Sequence, residues 1–157
     1  MKPSPEAANA RLREALEATG QRFTEQRAAV YRFLSGTTSH PTADDVFREV
    51  RAEVPGISLA TVYKSLETLV NCGLAAKLTY GDGSARYDAR MDQHHHARCL
   101  SCDRVMDIPG RRLGEELEKF ARELDGFSVL VYRLELTGFC GACSPHQHLH
   151  EHAGPMN

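Results

Sequence analysis

Apolar residues recur at helical spacing in the first third of the chain. Leu12 and Leu16 are four positions apart and predict a first helix over residues 7–19, which ends at a glycine. Thr24 is a favourable N-cap for a second helix that continues to Gly36. The chain therefore begins with two short amphipathic helices.

Two further helices follow, each announced by a capping residue. Thr42 with Asp45 three positions later is typical of a capping box, and Pro55 ends the helix that this box begins. Ser58 is the predicted N-cap of a fourth helix, which finishes near Cys72. The apolar residues of the fourth helix share one face: Val62, Leu66, Leu69 and Val70.

The period then changes from helix to strand. Residues 74–80 and 85–88 flank a turn rich in glycine and predict a β-hairpin. Helices followed by a two-stranded hairpin predict a winged-helix DNA-binding domain over residues 1–88. The helix before the hairpin would enter the major groove with its polar face, which carries Thr61, Tyr63, Lys64 and Ser65. Such a face is equally compatible with an ordinary solvated surface.

The second half mixes strands with a helix. Strands are predicted near residues 96–99 and 105–108, followed by a helix over 111–124 and a long strand over 127–139. The long strand is apolar on both faces, which in so small a domain indicates burial against a partner chain. We therefore expect an α+β protein whose residues 89–145 form a small α/β dimerisation domain, and we expect a homodimer.

Residues 146–157 form a polar tail with histidines at alternate positions. Such a tract is able to chelate a metal, but a short His-rich chain end is more commonly disordered. We predict a disordered tail and exclude it from the site. Its histidines are His146, His148, His150 and His152.

Composition and charge narrow the class of protein only a little. The chain has 157 residues and a formal net charge of −2, and neither half is basic overall. A nucleic-acid partner therefore requires basic groups clustered on one face. The chain shows neither a signal-peptide pattern nor an apolar run long enough to span a membrane, so a soluble cytoplasmic protein is expected. In that reducing compartment, paired cysteines indicate metal ligands before disulfides.

Two Cys-x-x-Cys pairs predict a closed metal site. Each pair can turn both thiolates onto one ion, and two pairs complete the tetrahedral sulfur shell that suits structural zinc. The four ligands are Cys99, Cys102, Cys140 and Cys143. The fifth cysteine, Cys72, is interpreted as a buried small apolar residue at the end of the fourth helix in preference to a reactive thiol.

Histidines and aspartates predict a second metal site. His94 and His96 alternate on a strand, so their side chains share one face. Candidate oxygen ligands are Asp88 at the end of the hairpin and Asp107 on the neighbouring strand, and His40 lies just before the third helix. Such mixed nitrogen and oxygen ligation suits Fe(II), Mn(II) or Zn(II). Because these ligands come from both domains, a bound ion would clamp the domains together.

Six motifs in order resemble the ferric uptake regulator (Fur) family. They span most of the chain between Ala10 and Cys143. The motifs are Gln21-Arg22-Phe23-Thr24-Glu25-Gln26-Arg27, His40-Pro41-Thr42-Ala43-Asp44-Asp45-Val46, Ser58-Leu59-Ala60-Thr61-Val62-Tyr63-Lys64, Arg86-Tyr87-Asp88, His94-x-His96-x-x-Cys99-x-x-Cys102 and Cys140-x-x-Cys143.

The resemblance implies a homodimeric, metal-dependent transcriptional repressor of AT-rich palindromic operators, and no enzyme. It places one structural Zn²⁺ per subunit at the four cysteines and one regulatory Fe²⁺ or Mn²⁺ at the two-domain site. It also implies DNA contacts from residues of the first and third motifs, which are Arg22, Ser58, Thr61, Tyr63 and Lys64. Lys64 stands where the family more commonly has arginine, which weakens any expectation of bidentate base contact.

The aspartates favour one branch of the family. Iron-sensing members typically carry glutamate at the positions of Asp88 and Asp107, whereas the peroxide-responsive (PerR) branch is similar to this chain. That resemblance implies that bound Fe(II) reacts with hydrogen peroxide, that His40 or His94 is oxidised, and that the operator is released. The alternative within the family is an iron, manganese or zinc uptake regulator that responds to metal level only. A third family site is doubtful, because Tyr132 replaces a histidine there, although Glu115 or Glu116 offers an oxygen.

Two rival classes remain open on the residues alone. A metalloenzyme would use His94, His96 and one carboxylate as an open facial triad and would show turnover. A zinc-stapled protein-interaction module would lack a basic face around the fourth helix.

Overall fold

The computed structural model describes residues 3–80, 83–92, 94–109, 111–126, 128 and 134–144. The chain divides into two compact units, Met1–Asp92 and Gln93–Asn157, called unit 1 and unit 2 below. Within the described ranges, no helix has the length and apolar character needed to cross a membrane. The predicted tail and Tyr132 lie outside the described residues.

Unit 1 has four helices followed by a two-stranded antiparallel sheet. The helices are α1 (Pro5–Ala18), α2 (Glu25–Gly36), α3 (Ala43–Glu53) and α4 (Leu59–Asn71). The strands are β1 (Ala76–Leu78) and β2 (Arg86–Asp88), with Lys77 opposite Tyr87. This is the predicted winged-helix arrangement, and it is confirmed.

Side-chain caps explain where the helices begin. Thr24 and Ser58 accept hydrogen bonds from backbone N–H groups in the first turns of α2 and α4. Thr42 and Asp45 form a complete capping box on α3, as predicted. Helix α1 begins at Pro5, two residues before the predicted start, because Ser4 is its N-cap and proline suits the first helical turn.

One hydrophobic core holds unit 1 together. Leu12, Leu34 and Leu66 are almost completely buried and bring α1, α2 and α4 into contact. Tyr87 from β2 is 1% exposed and belongs to the same core. The hairpin is therefore packed onto the helices, and its position is tied to theirs.

Unit 2 contains a three-stranded sheet and one helix. The strands are β3 (His94–Cys99), β4 (Val105–Pro109) and β5 (Glu135–Gly138), in the order β4-β3-β5, and the helix is α5 (Arg111–Arg122). β3 pairs antiparallel with β4 and parallel with β5. β5 is the end of the long strand predicted over 127–139, of which residues 127 and 129–133 lie outside the described residues.

Candidate functional site

The two Cys-x-x-Cys pairs meet in unit 2. Cys99 ends β3 and Cys140 follows β5, so the parallel pairing of these strands brings the two knuckles together. The four sulfur atoms lie within 4.8 Å of one another, and the Sγ atoms of Cys102 and Cys140 are 3.8 Å apart. A tetrahedral ion with Zn–S bonds of about 2.3 Å requires sulfur atoms about 3.8 Å apart. The arrangement therefore fits a tetrahedral zinc ion.

Backbone amides prepare the cysteines for metal binding. The N–H of Cys140 donates to Cys99 Sγ at 3.3 Å, and this bond and others from Cys102 and Ser101 lower the Cys99 pKa to about 6. The N–H of Ala142 likewise lowers the pKa of Cys140. Because the thiolate is the form that ligates metal, these bonds favour the binding state.

Neighbouring sulfur atoms have the opposite effect on the pKa of Cys143. The Ser101 hydroxyl lowers its pKa, but hydrogen bonds with the Cys102 and Cys140 sulfurs outweigh this effect and raise the pKa to about 11. Four thiolates at this separation repel one another unless a cation lies between them. The cluster therefore binds protons or a metal, and a divalent ion satisfies all four sulfurs.

A second donor set in unit 2 lies at the other end of β3. The Nε2 atoms of His94 and His96 are 3.0 Å apart, and Asp107 Oδ1 lies 3.6 Å and 3.8 Å from them. Asp107 is the direct cross-strand partner of His96 on β4. Adjacent nitrogens on one ion are about 2.9–3.4 Å apart when the metal bonds are about 2.0–2.1 Å. The two imidazole nitrogens are therefore spaced for one metal ion, and the Asp107 oxygen lies a few tenths of an ångström beyond that range.

His95 separates the two imidazoles along the strand. It is 7% exposed and pairs with Ile108, whereas its neighbours pair with residues 107 and 109. Alternation along a strand places it on the opposite face of the sheet. This explains why the histidine run supplies two ligands from three residues.

Unit 1 carries its own histidine and carboxylate pair. His40 Nε2 lies 3.7 Å from Asp88 Oδ2, and both residues are buried, at 3% and 7% exposure. His40 has a φ of 50°, a left-handed conformation that is uncommon outside glycine. The guanidinium of Arg86 donates to the His40 carbonyl at 3.1 Å and stabilises this conformation. The Arg90 N–H donates to Asp88 Oδ1 at 2.8 Å and orients that carboxylate.

The five predicted ligands thus form two donor sets. His40 and Asp88 belong to unit 1, and His94, His96 and Asp107 belong to unit 2. Neither set alone fills the six positions of an octahedral ion, and a two-donor site is weak.

The predicted DNA-contacting residues lie in unit 1 and differ in their availability. Tyr63 is 44% exposed and Lys64 is also exposed, both on α4. Ser58 caps the same helix by accepting from the Thr61 N–H at 3.1 Å, and the hydroxyls of Ser58 and Thr61 are 2.9 Å apart. These two hydroxyls therefore stabilise the helix start. Arg22 is exposed just before α2, and its carbonyl accepts a hydrogen bond from Arg27.

Sequence reasoning missed the contacts that surround Asp88. It assigned no role to Arg86, to Tyr87 or to Glu67, although the first two immediately precede the predicted ligand. Tyr87 donates to Glu67 Oε1 at 3.4 Å, and Lys77 Nζ contacts the same oxygen at 2.7 Å. The alternation Arg86, Tyr87, Asp88 on a short strand was the available signal, because it places Tyr87 on the face opposite Asp88.

The doubtful third site gains no support from the described residues. Glu115 and Glu116 are exposed on α5, and Glu116 forms a surface ion pair with Lys119 at 2.7 Å. Among the described residues, neither Glu115 nor Glu116 belongs to a group with metal-ligand spacing.

Known proteins resemble this chain over most of its length. A sequence profile described as the ferric uptake regulator family matches residues 18–137. The peroxide operon regulator of Bacillus subtilis (strain 168) is 41% identical over 138 residues, covering 85% of this chain and 93% of that protein. The peroxide-responsive repressor PerR of Staphylococcus aureus (strain USA300) is 36% identical over 128 residues, covering 82% and 86%.

Solved structures share the fold. A zinc-bound manganese uptake regulator has a TM-score of 0.68 at 30% identity, with 82% of this chain and 98% of that chain covered. The ferric uptake regulator of Helicobacter pylori has a TM-score of 0.79 at 19% identity, with 90% and 95% covered, which is a likeness of fold alone.

Proposed function

Because the chain belongs to the ferric uptake regulator family of metal-dependent repressors, we propose that it represses transcription when metal is bound and releases its operator on exposure to hydrogen peroxide. The proposal rests mainly on one observation. Two incomplete donor sets, one in each unit, carry the nitrogen and oxygen ligands that suit Fe(II) or Mn(II). Its proposed target is double-stranded DNA with an AT-rich palindromic operator, and we propose no enzymatic activity.

We propose that a single ion takes all five ligands. Asp88 and His94 are six residues apart in sequence, so the connecting chain holds their Cα atoms within about 22 Å of each other even when fully extended. His40 and Asp88 supply one nitrogen and one oxygen, while His94, His96 and Asp107 supply the rest. A joint site gives five donors to an ion that prefers six, whereas separate sites give two and three.

A joint site converts metal binding into a change between the units. The ion binds the arrangement in which both donor sets are satisfied, and it therefore shifts the population towards that arrangement. A shift from 1:99 to 99:1 requires about 5.5 kcal/mol of preference for one arrangement. The two buried ligands of unit 1 supply that preference, since their loss leaves the ion with the three donors of unit 2.

The four cysteines are proposed as the structural Zn²⁺ site of each subunit. Their sulfur spacing and the lowered pKa of Cys99 support this assignment. Because four sulfurs fill the shell, no position remains for substrate, which supports a structural role over a catalytic one.

Peroxide sensing is the finer part of the proposal. Both proposed carboxylate ligands, Asp88 and Asp107, are aspartates and not glutamates, as expected for the peroxide-responsive branch. The two relatives above are named for peroxide regulation. When bound, Fe(II) supplies the one-electron chemistry that activates hydrogen peroxide. His40 and His94 are the proposed targets: one peroxide oxygen is added to an imidazole carbon and the other leaves as water. An oxidised imidazole is a poorer ligand, so the joint site is lost.

We further propose a homodimer in which unit 2 forms the interface. β5 is an edge strand of the described sheet; Leu136 on this strand is 44% exposed in the single chain, and Phe139 directly after it is 49% exposed. Exposed apolar side chains on a sheet edge favour pairing with a second chain. Because the proposed target is DNA, we propose that the dimer acts in the cytoplasm.

A gel shift with His40→Ala tests the joint metal site. The variant should retain zinc and the dimer but lose Mn(II)-dependent binding to an AT-rich palindromic duplex. Cys72→Ser is the matched control, because Cys72 lies outside both donor sets. If His40→Ala binds the duplex as the wild type does, with the same response to Mn(II), the joint site is refuted.

Mass spectrometry separates peroxide sensing from sensing of metal level alone. Fe(II)-loaded protein exposed to hydrogen peroxide should gain one oxygen atom on the tryptic peptide that holds His40 or on the one that holds His94. Mn(II)-loaded protein treated in the same way should gain none. If the iron-loaded peptides stay unmodified while DNA binding still follows metal level, the chain is a metal-uptake regulator.

A further inference from the structure

Strand β2 links the unit 1 metal ligands to helix α4. Asp88, its last residue, faces His40 with 3.7 Å between Oδ2 and Nε2. Tyr87, the preceding residue, is 1% exposed, and its hydroxyl donates to Glu67 on α4 at 3.4 Å. Neighbouring residues on a strand point to opposite faces. The strand therefore carries a proposed metal ligand on one face and a contact to the proposed recognition helix on the other.

The His40 loop is fastened to the same strand. The Arg86 guanidinium donates to the His40 carbonyl at 3.1 Å, and the Tyr87 N–H donates to the Pro41 carbonyl at 2.9 Å. Thr42, the N-cap of α3, forms a β-bridge with Arg86. A displacement of His40 and Asp88 towards an ion must therefore move β2 with them.

Glu67 on α4 also contacts a second residue of the hairpin. Lys77 on β1 contacts Glu67 Oε1 at 2.7 Å, and Lys77 is the cross-strand neighbour of Tyr87. The acceptor for the Tyr87 hydroxyl is thereby fixed by both strands of the hairpin. Glu67 lies one helical turn from Tyr63 and Lys64, the exposed residues proposed to contact DNA.

We propose that Tyr87 is a positioning residue that couples metal binding at Asp88 to the placement of α4 through its hydrogen bond to Glu67. The inference rests on the proposed function, because it assumes that metal and DNA binding are linked. A tyrosine that only filled the core would need its ring, whereas this role needs its hydroxyl. Removal of the hydroxyl alone therefore separates the two roles.

The experiment measures the coupling between Mn(II) and DNA in Tyr87→Phe. The DNA is an AT-rich palindromic duplex selected from a random pool with Mn(II)-loaded wild-type protein. Affinity for the duplex is measured by fluorescence anisotropy with and without Mn(II), and Mn(II) affinity is measured with and without the duplex. Tyr31→Phe is the matched control, since Tyr31 is a buried tyrosine of unit 1 with no contact to Glu67 among the described residues.

Tyr87→Phe should bind Mn(II) normally in the absence of DNA and should bind DNA normally in the absence of Mn(II). Its Mn(II)-loaded affinity for the duplex should fall about tenfold, or about 1.4 kcal/mol. The gain in Mn(II) affinity caused by DNA must fall by the same factor, because coupling is reciprocal. Tyr31→Phe should keep the wild-type coupling.

Variants of Glu67 test the same bond from its other side without disturbing the core. Glu67→Gln keeps an oxygen acceptor and should retain most of the coupling, whereas Glu67→Ala should lose as much as Tyr87→Phe. The double variant Tyr87→Phe/Glu67→Ala should lose no more than either single variant. Urea unfolding confirms that each variant is folded.

Two results would overturn the inference. One is wild-type coupling in Tyr87→Phe, and the other is additive loss in the double variant. If the wild-type protein itself shows no Mn(II)-dependent DNA binding, the proposed function fails first, and the coupling fails with it.

Discussion

Unit 2 should depend on metal at its four cysteines for folding. Among its described residues, the buried apolar side chains are Cys99, Val105 and Cys140, two of which belong to the cysteine cluster. The large hydrophobic core, by contrast, lies in unit 1. Cys140→Ser removes one of four ligands and should therefore unfold unit 2 while unit 1 stays folded.

The magnitudes favour the metal over the packing. Full burial of a valine such as Val105 stabilises by about 1.5–3 kcal/mol. Binding of structural zinc by comparable small domains contributes about 10–16 kcal/mol at neutral pH. Within the described part of unit 2, the metal is therefore the larger source of stability, and losing it should exceed what the remaining apolar contacts supply.

Backbone NMR with zinc analysis measures this outcome. In Cys140→Ser, the amide signals of residues 94–109 should collapse towards random-coil shifts, and bound zinc should disappear. Signals of residues 5–71 should keep their dispersion. Cys72→Ser is the control, because Cys72 lies at the C-terminal cap of α4 with its sulfur 3.1 Å from the Thr19 hydroxyl, outside the cluster. Cys72 is half-buried there, so the prediction of a buried residue was wrong. Dispersed unit 2 signals in zinc-free Cys140→Ser would refute this reasoning.

Three further predictions concern unit 1. Burial raises the pKa of Asp45, but hydrogen bonds from Thr42 outweigh it and lower the pKa below the ordinary 3.8. Ionised Asp45 therefore stabilises unit 1 at pH values above the ordinary pKa of 3.8, and this stabilisation is lost as the pH falls through the lowered pKa. Asp45→Asn should therefore make urea unfolding midpoints less dependent on pH below about 4. Leu66→Ala should destabilise unit 1 by about 2–5 kcal/mol in thermal or urea unfolding, because Leu66 is completely buried on α4, and an unchanged midpoint would contradict the described core. Lys64→Ala should weaken binding to all duplexes and reduce the slope of log affinity against log salt by about 1. Tyr63→Ala should instead weaken binding to selected operators more than binding to random DNA. Equal losses of affinity for both DNAs in Tyr63→Ala would contradict a base contact.

Local signals in the sequence were sufficient for most of unit 1. Thr24, Thr42 and Ser58 mark helix starts through hydrogen bonds within three residues, so their effect can be read without knowing the fold. Helix α1 starts two residues before the predicted position, because Ser4 accepts a hydrogen bond from the Ala7 N–H and Pro5 suits the first helical turn. The hairpin strands are shorter than predicted, since β1 covers Ala76–Leu78 within the predicted 74–80.

Spacing was informative wherever the ligands lie close together in sequence. Each Cys-x-x-Cys pair has its own turn, and the meeting of both pairs follows from the pairing of β3 with β5. His94 and His96 share a face because strand geometry alternates. The proximity of His40 and Asp88 depends instead on contacts that Arg86 and Tyr87 make to the loop before α3. These contacts join residues far apart in sequence and therefore produce no periodic pattern in it. For the same reason, the contact between Tyr87 and Glu67 could not be predicted from the sequence.

Metal-edge X-ray absorption on Mn(II)-loaded protein tests most directly whether one ion takes ligands from both units. The wild type should show three imidazoles in the metal shell, and His40→Ala should show two. Asp88→Asn should alter the oxygen shell while all three imidazoles remain. A wild-type spectrum with two imidazoles that does not change in His40→Ala would contradict the account, because unit 2 alone would then hold the ion.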